Sequence, residues 1–369
     1  MRSSKPGERL ERSFLRDRLR RLGARHPQAK WAYYLFRFLL FDGLNYAENC
    51  ARNSLRLLIG RKPYFSDRQI FFRQYVRHLL GIQPLRITGS RPSPADANAG
   101  AGFQAFTTMC AIAFARTCGL TYVHTPFTAI NHADRPMPLW VAAWEAQFNF
   151  GLGEELATES DNREIVDFVF NYQNLALLFG FNKGHLVRKI EGTIPEFRRK
   201  YYWNKSPIQN EVLTIGVHIR RGDYVTLGIP VLISTSLFNK VVTEVTAVLE
   251  ARGIGYKVQI FTQGDLCDFD VPGVEIFSDV DAIWSMQQMI EADIFIMSKS
   301  FFSYVAATIS NGIKIGGGFP DGSSASPLSG WIIVNSNGEF DRIAFEAQLV
   351  QHIEAKTSKQ RSPEVMIPG

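Results

Sequence analysis

From Leu85 onward the apolar positions alternate between short continuous runs and helical spacing. Leu85-Arg86-Ile87-Thr88 reads as a short strand. A loop of small residues follows over 91–102, with Pro92, Pro94, Gly100 and Gly102. Phe103 to Cys118 reads as a helix stopped by Gly119. Leu120 to His124 is the next strand, which completes a βαβ unit.

The second half repeats the rhythm more clearly. Val212 to Ile219 is an apolar, β-branched strand. Ser236 to Arg252 keeps Leu237, Val241, Val245, Val248 and Leu249 at helical spacing, with Ser234 or Thr235 as cap and Gly253 as stop. Tyr256–Phe261 and Val274–Phe277 read as strands. A helix over Asp281–Ala292 starts on its own aspartate, and Ile294–Met297 is a strand. A helix over Phe301–Ser310 is closed by Asn311-Gly312, and Ile313–Ile315 and Trp331–Val334 are further strands. Continuous apolar strands alternating with helices predict an α/β protein with parallel, doubly wound sheets.

Two α/β domains fit 369 residues, with a boundary near Tyr202 to Asn210. The expected limits are 1–80 for a basic, helical N-terminal region, 81–205 and 206–345 for the two α/β domains, and 346–369 for a tail that is loose from about Lys356. Two facing Rossmann-like domains imply a cleft, with ligands at the carboxyl ends of the strands.

Composition excludes a disordered or collagenous chain, since 46% of residues are hydrophobic and 21% charged. The net charge of +6 is unevenly placed. Residues 1–30 carry ten basic and three acidic side chains, a net +7, so the remaining body is near neutral. The high isoelectric point therefore belongs to the arm, and no nucleic-acid partner is expected. The four cysteines, Cys50, Cys110, Cys118 and Cys267, form no C-x-x-C pair and no zinc spacing, so no metal site is expected. Cys110, within an apolar stretch, reads as a buried thiol.

No secretion signal pattern is visible. The run Trp31–Phe41 is interrupted by Arg37 and is shorter than the ~20 apolar residues that cross a bilayer. It reads either as a core helix or, with the basic arm, as a contact of residues 1–41 with an anionic membrane surface. The expected location is cytoplasmic, with that contact placing the chain at the periphery of the inner membrane.

The chemistry concentrates in His218-Ile219-Arg220-Arg221-Gly222-Asp223-Tyr224, at the carboxyl end of the first strand of the second domain. Adjacent arginines are costly to bury without anions. Guanidinium forks suit diphosphate oxygens. As strand residues, Arg220 and Arg221 would point to opposite faces, one holding phosphate and the other bracing the site, for example through Asp223. Gly222 permits a sharp turn.

This segment closely resembles the H-x-R-R-G-D-Y motif of the α-1,2-fucosyltransferases and is similar to the shorter H-x-R-R motif of the α-1,6- and nodulation fucosyltransferases. A late stretch, Ala292 to Ala307, resembles the family's S-N-S-S-F-S-W-W motif at Ser298, Ser300, Phe302, Ser303 and Ala307. Gly100-Ala101-Gly102-Phe103-Gln104 is similar to a G-x-G-N-Q loop. The resemblance spans about Ile87 to Thr308.

What the resemblance implies is a GT-B-like fold, a first domain on the acceptor side and a second that binds the donor. It also implies a GDP-fucose donor, a glycan acceptor, no metal or other cofactor, and inversion at the anomeric carbon. Carried over, Arg220 binds the donor diphosphate and takes a catalytic role with Asp223. His218, Arg221, Gly222, Gly102 and Gln104 shape the donor site. Ser298, Ser300, Phe302 and Ser303 lie under the nucleotide, and Asp281, which its own context reads as a helix cap, falls near the donor. A helix N-terminus rich in hydroxyls offers N–H groups to anions, and basic side chains can stabilise a departing diphosphate without metal.

Three departures stand against the family pattern. Phe103 replaces the loop asparagine; Lys299, Phe301 and Tyr304-Val305 replace an asparagine, a serine and two tryptophans; Thr262-Gln263-Gly264 stands where the family has S-D-D. They motivate an alternative, a related transferase using another nucleotide sugar. The basic arm and the lack of an obvious base motivate another, a non-catalytic membrane-surface or nucleotide-sugar-binding protein. An inverting transfer needs a proton acceptor, and Asp134, Glu145, Glu154 and His124 are candidates among which the sequence does not choose. The aromatic segment Trp140–Phe150 reads as packed core or as a sugar-stacking surface.

Overall fold

The structure is a computed structural model of the chain and describes residues 43–58, 67–89, 99–158, 164–169, 171, 172, 175, 179, 183–208, 210–222, 234–264, 269–317 and 327–361. The arm and apolar run of residues 1–41, Asp223, Tyr224 and Cys267 lie outside the described residues. The chain groups into two compact units. One draws on Met1–Arg91, Cys110–Thr125 and Gly153–Leu186, the other on Pro92–Met109, Pro126–Leu152 and Val187–Gly369. The segment Gly100–Gln104, expected in the first domain, therefore groups with the second unit, as does the aromatic segment Trp140–Phe150.

The first unit holds a four-stranded sheet: β1 (Arg86–Thr88), β2 (Thr121–His124), β3 (Glu155–Leu156) and β4 (Val166–Asp167), in the order β3-β2-β1-β4. Every pairing is parallel. Helices α1 (Gly43–Leu58) and α2 (Asp67–Leu79) precede it, and α3 (Ala101–Cys118) links β1 to β2. Residues 105–115 of α3 are buried without a break, as a helix that is apolar on all sides must be. Gly119 takes φ +64° where the helix stops, as its C-cap role requires.

The second unit contains α4 (Met137–Phe148), α5 (Lys183–Tyr202) from Val187 onward, and a regular alternation. That alternation runs β5 (Leu213–Ile219), α6 (Thr235–Ala251), β6 (Tyr256–Thr262), β7 (Val274–Ser278), α7 (Ala282–Glu291), β8 (Ile294–Met297), α8 (Phe301–Ile309), β9 (Ile313–Gly317), β10 (Ile332–Val334) and α9 (Arg342–Arg361). The sheet order is β10-β9-β8-β5-β6-β7, parallel throughout. All seven residues of β5 are buried. Ile215, Val217 and Ile219 pack with Phe238, Val242 and Val245 of α6 and with Phe345 and Leu349 of α9. Each such side chain contributes roughly 1.5–3 kcal/mol when fully buried, so this face anchors the strand that carries the motif.

One expectation changes. Residues 356–361 are helical rather than loose, because α9 continues to Arg361, and 362–369 lie outside the described residues. Asp293 explains why: its carboxylate accepts from the Thr214 N–H at 2.9 Å, from Lys356 Nζ at 2.9 Å, and lies 2.9 Å from His352 Nε2. The last turns of α9 are thus tied to the sheet. Asn311-Gly312 follows the end of α8 as expected, and Gly312 is required there by close approach. A β-carbon there would run into the carbonyl oxygens of Ala292 and Asp293.

Candidate active site

In the six-stranded sheet the chain leaves β5 towards β6 on one side, while β8 on its other side leads to β9. Strand order reverses between β5 and β8, and in open α/β sheets the crevice beyond the carboxyl ends at that point is where ligands bind. The segment His218–Gly222 leaves the end of β5, and Ser298–Phe302 leaves the end of β8. A pocket of about 440 Å³ opens there, lined entirely by residues of the second unit. Ala101, Ala282 and Phe301, the first residues of α3, α7 and α8, all line it. Three helix N-termini directed at one cavity present N–H groups and partial positive charge to an anion.

His218 is buried at the end of β5, and its Nδ1 lies 2.5 Å from Ser303 Oγ. Burial, with the nearby Arg220 charge, pushes its pKa down to about 3. At neutral pH it is therefore an uncharged hydrogen-bonding group. Its ring leans on Phe302 at 5.6 Å between centroids. Ser303 Oγ also accepts from the Ser298 N–H at 3.2 Å, and Ser298 Oγ accepts from the Arg220 N–H at 3.2 Å. Thr262 Oγ1 donates to the Ile219 carbonyl at 3.0 Å, which joins the ends of β5 and β6.

Arg220 and Arg221 both line the pocket, contrary to the expected opposite faces. The strand ends at Ile219, so its two-residue alternation no longer governs them. The Arg221 guanidinium donates to Thr235 Oγ1 at the start of α6, which gives it the bracing role. Gly222 takes φ +49°, and a β-carbon there would collide with Gln263 Oε1. The left-handed φ after the arginines is what favours glycine there, since the Gln263 side-chain tip could move aside.

Ser300 caps α8, its Oγ accepting from the Phe302 N–H at 3.1 Å. Gly102 in the first turn of α3 lies directly against this cap, where a β-carbon would be 2.5 Å from the Phe302 nitrogen. The two segments that were matched separately in sequence are thus one packed junction.

Of the expected site residues, Gly102, His218, Arg220, Arg221, Ser300 and Phe302 line the pocket. Ser298 and Ser303 stand one layer behind and hold His218 and Arg220. Gln104 is a clamp, its Nε2 donating to the carbonyls of Ala99 at 2.9 Å and Ala129 at 2.8 Å. Asp281 caps α7, accepting from the N–H groups of Ile283 and Trp284 at 2.8 Å each. Burial alone would raise its carboxyl pKa; the Trp284 N–H and the Arg135 guanidinium outweigh this and hold it below the usual carboxylate range.

The candidate bases separate clearly. Asp134 lines the pocket, exposed and paired with Arg135 at 2.6 Å; Arg135 also pairs with Asp281 and lies over the Trp140 ring at 5.1 Å. Glu145 accepts from the Phe127 N–H at 2.7 Å, Glu154 pairs with Arg116, and the buried His124 lies 3.2 Å from the Tyr122 hydroxyl. Those three have structural duties away from the pocket. Trp140 and Trp144 combine both readings of the aromatic segment, being buried yet part of the pocket wall. Asp279, which also lines the pocket, was not singled out by sequence. Its position just past the carboxyl end of β7 is the signal that could have found it. Among the described residues no group of three or more His, Cys, Asp or Glu is placed to hold a metal ion, and no helix is long and apolar enough to cross a membrane.

No protein-family model and no curated protein matches the chain. Among solved structures it is similar to the fucosyltransferase NodZ from Bradyrhizobium, at 12% identity over 62% of this chain and 94% of that one, with a TM-score of 0.28. A structure of NodZ α-1,6-fucosyltransferase soaked with GDP-fucose gives 12% identity, 62% and 93% coverage, and a TM-score of 0.30. At such scores the similarity carries no argument, and the functional reading stands on the arginines, the helix termini and the switch point.

Proposed function

We propose that this chain is a glycosyltransferase that moves fucose from GDP-fucose to a glycan acceptor, without a metal and with inversion. The observation that carries the proposal is the meeting of Arg220 and Arg221 with the first residues of α3, α7 and α8 in one pocket. A diphosphate fits this arrangement, because guanidinium forks and helix N–H groups both stabilise the negative charge of a leaving nucleotide. His218, neutral and fixed to Ser303, orients the end of β5 instead of adding charge. Two carboxylates, Asp134 and Asp279, line the pocket, whereas Glu145 and Glu154 do not. Asp279 accepts from the Gly264 N–H at 3.1 Å and the Ser278 hydroxyl at 2.9 Å, so Asp134 is the one proposed to take the acceptor proton. Asp223, next to the motif glycine, is proposed to support the same loop. The first unit is proposed to serve the acceptor, and residues 1–41 to contact an anionic membrane.

Calorimetry with GDP-fucose in EDTA, on the wild type and Arg220→Ala, tests the donor claim. Metal-free binding that weakens at least about tenfold in the variant is expected, as a charged hydrogen bond contributes about 1.5–3 kcal/mol. Equal binding by both proteins would remove the phosphate role. A second reading, the same chemistry with another nucleotide sugar, is favoured by Gln263 in the pocket wall. Competition between GDP-fucose, GDP-mannose and a uridine sugar separates the two.

A further inference from the structure

The pocket has two sides about the end of β5. On one side lie the first residues of α3 and α8, next to the end of β8. On the other lie Thr262 and Gln263 at the end of β6, and Asp279 just past β7. Counted from β5, the sheet order is third, second, first, fourth, fifth, sixth. Doubly wound sheets of that order hold a diphosphate beyond the first strand, and a carboxylate further along the chain takes a ribose hydroxyl.

Gln263 stands at the end of the second of these strands, with its amide oxygen against Gly222. The carboxylate comes from the neighbouring strand instead. Asp279 takes φ +52°, a left-handed conformation that aspartate adopts more readily than most residues. Its N–H donates to the Thr262 carbonyl at 3.2 Å. Its Oδ2 accepts from the Gly264 N–H at 3.1 Å and lies 2.9 Å from Ser278 Oγ. One carboxylate oxygen is thereby fixed to the end of β6. The other, Oδ1, bonds to none of the described residues, and the side chain is exposed in the pocket wall.

A carboxylate anchored by one oxygen and open at the other is a preset acceptor for a neutral hydroxyl. It repels phosphate, which belongs with the arginines. Neighbouring strands are roughly 4.8 Å apart, so Asp279 stands about 5–10 Å from the end of β5. The ribose hydroxyls of a nucleoside diphosphate lie at that range from its phosphates.

We propose that Asp279 accepts a hydrogen bond from a ribose hydroxyl of the nucleotide, which makes the site selective for ribonucleotides whatever their base. This rests on the diphosphate reading given above.

Calorimetry on the full chain tests it, with GDP and UDP compared with their 2′-deoxy and 3′-deoxy forms. Wild type is expected to bind the ribonucleotide roughly tenfold or more tightly than at least one of its deoxy forms, as a hydrogen bond to a charged group implies. Asp279→Asn keeps the size of the side chain and its tolerance of the left-handed turn. It is expected to lose much of that preference and Asp279→Ala all of it, with affinity for the rejected deoxy form unchanged. Thermal melts check that both variants keep the fold. A purely structural role would weaken both forms alike and leave their ratio intact. That result, or equal binding of ribo- and deoxynucleotides by wild type, overturns the proposal while the diphosphate reading stands. Failure of wild type to bind any of the diphosphates removes that reading, and this inference with it.

Discussion

Gly102 and Phe302, two hundred residues apart, meet so closely that a β-carbon on Gly102 would stand 2.5 Å from the Phe302 backbone nitrogen. The contact locks the first turn of α3 to the first turn of α8. Backbone cannot swing aside as a side-chain tip can, so Gly102→Ala should force the two helix starts apart. The expected cost is about 1–3 kcal/mol of stability, as for other overpacked sites. Donor affinity should fall as well. Melting and calorimetry on one preparation measure both, and unchanged values would mean that the junction yields freely.

Arg220→Lys should bind donor more weakly than wild type even though the charge is kept. An ammonium offers a point charge where the guanidinium offers a planar fork. The expected loss is about 1 kcal/mol or more, between wild type and Arg220→Ala. Full donor affinity in the lysine variant would show that charge alone suffices at this strand end.

His218 gives a pH prediction with a definite sign. Its folded pKa, about 3, lies below the unfolded value of 6.5. The unfolded chain therefore binds the proton first, and stability is lost as pH falls from 6.5 towards 3. Each pH unit in that window costs up to about 1.4 kcal/mol. Denaturant midpoints from pH 7 to pH 4 should fall in the wild type more steeply than in His218→Asn. Parallel profiles would show that His218 is not buried neutral.

Asp293 makes the opposite kind of site, a buried carboxylate kept charged. Burial opposes its ionisation, but His352, the Thr214 N–H and Lys356 bring the pKa down to about 2. Its contribution is present above the ordinary carboxylate range and is lost as pH falls from 3.8 through about 2. Asp293→Ala should cost about 1–3 kcal/mol, since it leaves the buried Thr214 N–H unsatisfied and the partly exposed His352 and Lys356 without their carboxylate. Proteolysis should then begin in the last turns of α9. A melting temperature equal to wild type would show that α9 is held by its apolar face alone.

The strands and helices of the second unit were legible because their apolar runs are bounded by caps and glycines that the structure uses as expected. Ser234 caps α6, accepting from the Leu237 N–H at 3.3 Å, and Asp281 caps α7. Less legible were groupings that depend on contact across the chain. Gly100–Gln104 follows a first-unit strand in sequence, yet its packing partner is Phe302, so it belongs with the second unit. Local pattern also could not separate a ligand from a support. Ser300 and Ser303 sit on one helix turn, but one faces the pocket and the other fastens His218. The last turns of α9 were missed because their stabilising partner, Asp293, lies 63 residues away from Lys356.

The far end of α8 bears on how its pocket end behaves. There Arg198 donates to the carbonyls of Ile309 at 2.9 Å and Ser310 at 2.5 Å, and Lys314 Nζ donates to Ser310 at 3.1 Å and Gly312 at 2.6 Å. Two cations thus saturate the negative pole of a helix whose positive pole faces the cavity, about 13 Å away at 1.5 Å per residue. The carbonyl end of α8 is therefore held without help from the pocket, and substitution at Arg198 or Lys314 would loosen that end while leaving the residues that line the pocket in place.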